Sequence, residues 1–267
     1  MMENLLLLSC RSPYLDDSKI YPPLGLLYLH SAIRKNAHHV TVAIKDNYDL
    51  TNPDWINGFE AVGLSVMTPQ RAEAKRILDF IKDRKPRTKT IVGGPHAKYY
   101  LDDLLYEKAD FICTHDGERA LPKILNGSLI RVHTDNISIV DYPKHAVKPN
   151  RLDNAAFLKG YKYELEGRNC TTMMTARGCP EQCAFCEDAR SMVRWTPMNL
   201  IEEEIKDIKT LGYEGVYIFD DIFAIAQKKV EPIARKLKES NLIYRCNGQA
   251  RLMTEDFMKM LSETGCR

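Results

Sequence analysis

No stretch of the 267 residues approaches the roughly 20 consecutive apolar side chains that a membrane-crossing helix requires. The early apolar run, "NLLLLSC", is only about strand length and has polar flanks, so it does not read as a signal peptide. An excess of one charge is also lacking. Lys and Arg number 38 against 36 Asp and Glu, and the net of +2 is too small for bulk electrostatics to recruit nucleic acid or a membrane. Paired cysteine spacing is missing from most of the chain: Cys10, Cys113, Cys170, Cys246 and Cys266 are scattered. Without a secretion signal, reduced thiols in the cytoplasm are the expectation. What is present is a globular composition, 44% hydrophobic and 28% charged, in a chain long enough for one large or two ordinary domains.

The first half alternates. "NLLLLSC" reads as a strand buried on both faces. "LGLLYLHSAIRKN" has Leu24, Leu27, Tyr28 and Ile33 at near-helical spacing after Pro22 and Pro23. "HVTVAI", "FEAVGLSV", "TKTIVGG" and "ADFICT" follow as strands. "QRAEAKRILDFIKDRK", "YYLDDLLYEKA" and "GERALPKIL" carry helical periodicity. Such alternation implies right-handed crossovers and a parallel sheet, a doubly wound α/β (Rossmann-like) domain over residues 1–130. Ligands of such sheets sit beyond the carboxyl ends of the strands. There the sequence has "SVMTPQ", "GGPHA" and "HDGER". Gly93 and Gly94 either let a ligand approach the backbone or form a tight strand-to-helix turn. Residues 131–170 lose the alternation and read as a linker.

A second series begins near residue 171 with the short strand "TTMMTAR". "NLIEEEIKDIKTLG" reads as a helix with a capping box from Asn199 to Glu202, an apolar face of Leu200, Ile201, Ile205 and Ile208, and a stop at Gly212. "GVYIFDD" and "QKKVEPIARKLKES", then "LIYRCNGQAR" and "TEDFMKMLSETG", give two more strand–helix pairs, the last helix capped by Thr254 and closed by Gly265. Three βα units are the start of a β/α barrel over residues 171–267.

Between the first of these strands and its helix lies "TARGCPEQCAFCEDAR", with Cys179, Cys183 and Cys186 inside eight residues. Tetrahedral zinc sites want four ligands, commonly as two pairs. Three thiolates suit a [4Fe–4S] cluster that leaves one iron open to chelate a small molecule. The alternative is a zinc knuckle completed by a distant ligand such as Cys170 or Cys246.

C-x-x-x-C-x-Φ-C, with Phe185 as the aromatic residue, resembles the signature of the radical S-adenosylmethionine (radical SAM) superfamily. The strings "TARGCPEQCAFC", "RWTPMNLIEEEI" and "GVYIFDDIF", preceded by "PPLGLLYL", "GLSVMT", "VGGPHA" and "DGE", are similar to its branch with an N-terminal cobalamin-binding domain. The resemblance covers residues 1–125 and 171–267. It implies a cobalamin-binding-type domain followed by the first part of a radical SAM partial β/α barrel. It also implies reductive cleavage of S-adenosylmethionine to a 5′-deoxyadenosyl radical that abstracts hydrogen from substrate. In these terms Cys179, Cys183 and Cys186 hold the cluster and the backbone at Phe185 lies beside adenine. Asp220 and Asp221 stand where the superfamily contacts the S-adenosylmethionine amine, usually with Gly-Gly-Glu; the alternative is that they are turn or capping residues. Asn247, Gln249 and Arg251 end the third strand as further cofactor or substrate contacts.

The motif D-x-H-x-x-G, whose His ligates cobalt, is absent, and "CRSPYLDDSKIYPPLG" stands in its place. The resemblance therefore implies cobalamin held without a protein His, with Ser65, Met67, Thr68, Gly93, Gly94, His96, Gly117 and Glu118 around it. Three readings follow. The first is a cobalamin-dependent methyltransferase acting on an unreactive carbon. The second is a radical SAM cyclase or rearrangement enzyme. The third is a fragment or split enzyme whose barrel a complementary chain completes. The implied partners are a small-molecule or peptide substrate and an electron donor such as flavodoxin or ferredoxin, in the cytoplasm.

Overall fold

The computed structural model describes residues 2–267, which divide into two compact units. The first comprises residues up to Ser18 together with Gly25–Ile137; the second comprises Lys19–Leu24 and Ser138–Arg267.

In the first unit, β1 (Asn4–Ser9), β2 (Thr41–Lys45), β3 (Ala61–Ser65), β4 (Lys89–Gly93), β5 (Phe111–Cys113) and β6 (Val132–His133) form one sheet in the order β2-β1-β3-β4-β5-β6. Every pairing is parallel. Leu5 to Leu8 are buried because β1 is flanked by strands on both sides and covered on both faces. The order reverses between β1 and β3, which makes a switch point there. Register aligns Ser9 with Ser65 and Ser65 with Gly93 along the carboxyl edge.

Helices α1 (Leu24–Asn36), α2 (Arg71–Arg84), α3 (Pro95–Tyr99) and α4 (Gly117–Leu125) cross between strands. Helix α2 buries Ala74, Ile77, Leu78 and Ile81, the stripe that its 3.6-residue period sets. "YYLDDLLYEKA" departs from the expected single helix. Helix α3 ends at Tyr99 and only a 3₁₀ turn over Leu104–Lys108 follows. Asp103 at the break is held by Arg71, 3.0 Å away.

The second unit holds α5 (Tyr142–His145), α6 (Ala155–Leu158), β7 (Tyr163–Leu165), β8 (Arg168–Met173), β9 (Ala176–Arg177), β10 (Arg194–Trp195), α7 (Met198–Thr210), β11 (Gly215–Ile218), α8 (Gln227–Glu239), β12 (Ile243–Cys246) and α9 (Glu255–Glu263). Its main sheet runs β12-β11-β8-β7, parallel except for β7, which pairs antiparallel with β8. Met173, Val216, Ile218 and Tyr244 face the helices, where they pack with Ile205, Ile233 and Phe257. On the other face Tyr217 and Phe219 meet Tyr21 at ring-centroid distances of 6.1 and 5.0 Å.

Two sequence readings are corrected here. Residues 131–170 are not a bare linker. Residues 132–133 add a strand to the first sheet, and the remainder contributes β7, the start of β8 and the fully buried Arg151 to the second unit. Helix α7 has no Asn199 capping box; Pro197 occupies the N-cap, with Leu200 N and Ile201 N donating to its carbonyl. Gly212 does end α7 with φ +81°, and Thr254 does cap α9 by accepting from Phe257 N at 3.3 Å.

Candidate functional site

The cysteines lie on a 16-residue loop, 178–193, between β9 and β10, whose antiparallel pairing forms its stem (Arg177 opposite Arg194, Ala176 opposite Trp195). The loop springs from the carboxyl end of β8, the edge where α/β sheets bind ligands.

Its root is built by β11's end. Asp220 is buried and accepts from Thr175 N at 2.6 Å and from the Thr175 hydroxyl. Asp221 accepts from Gly178 N at 2.8 Å. Gly178 has φ +97°, and a Cβ there would lie 2.4 Å from Met192 O, so no other residue fits this crossing of the loop's two ends. Asn247 donates to the Asp220 carbonyl at 3.2 Å and accepts from the Tyr217 hydroxyl at 3.1 Å.

Inside the loop, Cys179 N donates to Ser191 Oγ at 2.8 Å and Ser191 N returns a bond to Cys179 O at 2.9 Å. Cys186 N donates to Cys183 O at 3.1 Å, a tight turn that leaves Phe185 91% exposed at its tip. Gln249 and Arg251 both reach Glu181, with Gln249 Nε2 at 3.0 Å from Oε2 and Arg251 Nη2 at 2.6 and 2.7 Å from the two oxygens.

In this structure Asp220 bonds Thr175 ahead of the loop's stem, while Asp221, Gln249 and Arg251 bond residues of the loop itself. Sequence reasoning passed over Glu181, Ser191 and Thr175. Glu181 carried a signal, being a carboxylate between two of the clustered cysteines, but its partners lie about 70 residues on and only the fold reveals them.

The donor set fits an iron–sulfur cluster. Three thiols share one loop; Cys183 and Cys186 are exposed and Cys179 half-buried. Burial pushes the Cys179 thiol up, opposed by a backbone hydrogen bond from Glu181 and reinforced by nearby Asp221. Among the described residues no three Cys, His, Asp or Glu side chains converge on one point. Cys170, considered as a zinc ligand, is buried in β8, where its Sγ lies 2.7 Å from the position of a Cβ on Gly215.

Burial also pushes Asp220 up to about 7, against the Thr175 and Ala176 donors that favour its charge. Since that value lies above the ordinary carboxylate pKa, the folded state keeps a proton that the unfolded chain releases. Stability of the apo second unit is expected to fall as pH rises from about 4 through 7, by at most about 1.4 kcal/mol per pH unit. Urea midpoints at pH 4.5, 6 and 7.5 measure this. In Asp220→Asn the slope should flatten, and an unchanged slope would assign it to other groups.

In the first unit, Ser65 ends β3, Met67 is exposed, and Thr68 opens a 3₁₀ turn over Thr68–Gln70. Gln70 ties that turn to β1, accepting from Met67 N at 3.0 Å and donating to Cys10 O at 2.8 Å. Gly94 has φ +95°, and a Cβ there would lie 2.6 Å from Val66 N; Gly93 would crowd Cys113 at 3.3 Å. The glycine pair is thus a tight turn whose space the protein's own backbone fills. His96 is 1% exposed. It stacks on Tyr100 and Tyr106, with Nδ1 3.3 Å from Thr68 Oγ1 and Nε2 3.3 Å from Asp103 Oδ2 without hydrogen-bond geometry. A Cβ on Gly117 would meet Leu29 at 2.9 Å, so it marks close packing of α4 on α1; Glu118 lies in the first turn of α4. Ser65, Met67 and Thr68 remain as the open stretch of this edge.

Among the described residues no helix is long and apolar enough to cross a membrane. A family described as the B12 binding domain matches residues 18–125. An uncharacterized methyltransferase of Pyrococcus horikoshii is 25% identical over 92% of the chain and 59% of its own length. The hopanoid C-3 methylase of Methylococcus capsulatus is 25% identical, over 91% and 51%. The anaerobic magnesium-protoporphyrin IX monomethyl ester cyclase of Synechocystis is 24% identical, over 75% and 45%. The chain thus spans roughly half the length of these relatives. Its fold matches the radical S-adenosylmethionine methyltransferase TsrM of Kitasatospora setae, solved with cobalamin and a [4Fe-4S] cluster, at a TM-score of 0.73 and 14% identity. That match covers all of this chain and 60% of TsrM.

Proposed function

We propose that this chain, which resembles the radical SAM enzymes with an N-terminal cobalamin-binding domain in sequence and in fold, is the cofactor-binding part of a cobalamin-dependent methyltransferase acting on an unreactive carbon. The observation that carries the reading is a loop of three thiols, two of them exposed, rooted at the carboxyl ends of parallel strands in a chain that also holds a B12-binding domain.

Cys179, Cys183 and Cys186 would hold the [4Fe–4S] cluster, which when bound supplies the electron that cleaves S-adenosylmethionine. Asp220 and Asp221 fix the loop's root, and Asn247 steadies Asp220 from β12. Ser65, Met67 and Thr68 at the carboxyl edge would line the cobalamin site, with no protein imidazole supplied to the cobalt. A small-molecule substrate and a reductant such as flavodoxin or ferredoxin complete the system. A complementary segment would extend the sheet beyond β12.

Anaerobic reconstitution with iron, sulfide and hydroxocobalamin tests the reading. The expected result is a brown protein with about four irons, and a cob(II)alamin resonance without nitrogen splitting from an imidazole. Zinc that iron cannot displace would defeat it. The cyclase relative supports a second reading. With dithionite, S-adenosylmethionine and a candidate substrate, methylated substrate formed in step with S-adenosylhomocysteine marks methyl transfer, whereas ring-closed substrate without S-adenosylhomocysteine favours cyclisation.

A further inference from the structure

Glu181 stands two residues after Cys179 and two before Cys183. Its carboxylate takes the Gln249 amide and one guanidinium nitrogen of Arg251, both from just beyond β12. Its carbonyl takes Arg190 N at 2.7 Å, from the returning side of the loop. One residue therefore joins the outgoing half of the loop, the returning half and the end of a strand that contributes no cysteine to it.

We propose that Glu181, Gln249 and Arg251 form a latch that positions the cysteine loop to receive its metal cluster, with Glu181 and Arg251 as the positioning pair. The metal consequence rests on the cluster reading above; the latch is a property of the apo chain.

Stability alone does not account for this arrangement. The Arg251 side chain is 64% exposed, and ion pairs of that kind add little net stability. Donating through Nε2 to Glu181 turns Gln249 Oε1 the other way, where it is buried and has no hydrogen-bond partner. A buried acceptor without a donor costs at least as much as an exposed pair returns. An arrangement with so little net gain is better explained by what it orients. The turn carrying Cys183 and Cys186 is exposed, so packing does not fix it, and fastening Glu181 shortens the free span on the Cys183 side.

Hydrogen exchange on the apo chain reads the latch directly. Arg251→Ala and Glu181→Ala should each speed exchange severalfold across 179–191 and leave β11 and α7 unchanged. Arg251→Lys should restore part of the protection, and the charge-reversed pair Glu181→Arg with Arg251→Glu should restore more than either single change. The second readout is iron release to a chelator from reconstituted protein, which should quicken in the alanine variants in the same order. Unchanged loop exchange in both alanine variants would show that no latch exists. Faster exchange with unchanged iron release would show a structural tie without a positioning role. Failure of the unaltered chain to take up iron would overturn the cluster reading, while the exchange experiment would still decide the latch.

Discussion

Anaerobic reconstitution of a chain with Cys179, Cys183 and Cys186 all replaced by Ala is expected to return colourless protein with almost no iron, against about four irons and four sulfides for the unaltered sequence. The size of the effect follows from ligand chemistry. Thiolates are the usual protein ligands of such clusters, and these three share one loop, two of them facing solvent. The control is Cys113→Ala, which should keep the full chromophore. Cys113 is buried in β5 and its thiol is pushed up to about 12, chiefly by burial and further by Asp135, so it offers no thiolate to iron. Retention of the brown colour by the triple variant would place the cluster elsewhere. Its loss from Cys113→Ala would implicate a buried thiol in assembly.

The second large effect concerns folding. Arg151→Ala is expected to destabilise the second unit by roughly 3–5 kcal/mol, because it strips a buried carboxylate of its cation. Arg151 and Glu204 are both essentially inaccessible to solvent. Nη2 lies 2.6 Å and Nε 3.2 Å from Glu204 Oε1, and Nη2 also donates to Thr172 O on β8. Burial pushes Glu204 up and Arg151 pulls it back down, so losing the cation leaves the burial penalty uncompensated. Replacing both partners, Arg151→Met with Glu204→Leu, should recover most of the loss, since buried pairs often exchange for apolar residues at little cost. Trp195 lies in the second unit and Trp55 in the first, so in a Trp55→Phe background Trp195 fluorescence follows urea unfolding of the second unit. Equal destabilisation in the single and double variants would show that packing of the Arg151 stem, and not its charge, is what matters.

What the sequence discloses and what it hides divide along contact distance. The leucine run of β1, the 24–36 helix, the stop at Gly212 and the Thr254 cap are set by neighbours within a few residues, and the structure has them in place. The pair Arg151–Glu204 spans 53 residues, Thr175–Asp220 spans 45, and Glu181–Arg251 spans 70. No local period encodes such links. Residues 131–170 looked like a linker because polar and apolar residues there follow no repeat; their order comes from a short antiparallel strand and one buried guanidinium. At the cysteine loop the clustering of thiols is legible from spacing, whereas the backbone donors that Asp220 and Asp221 take are not. A carboxylate reads the same in sequence whether it serves a ligand or a backbone N–H.

The single antiparallel strand β7 has an architectural outcome. It ends one side of the second sheet with three residues running against the rest, a short border that gives little purchase to another strand. On the opposite side, Tyr244 N donates to Gly265 O at 3.0 Å and Arg267 N to Tyr244 O at 2.8 Å, so a parallel neighbour is already being laid beside β12. The two borders of the sheet thus differ in kind, with a hem at β7 and a seam at β12.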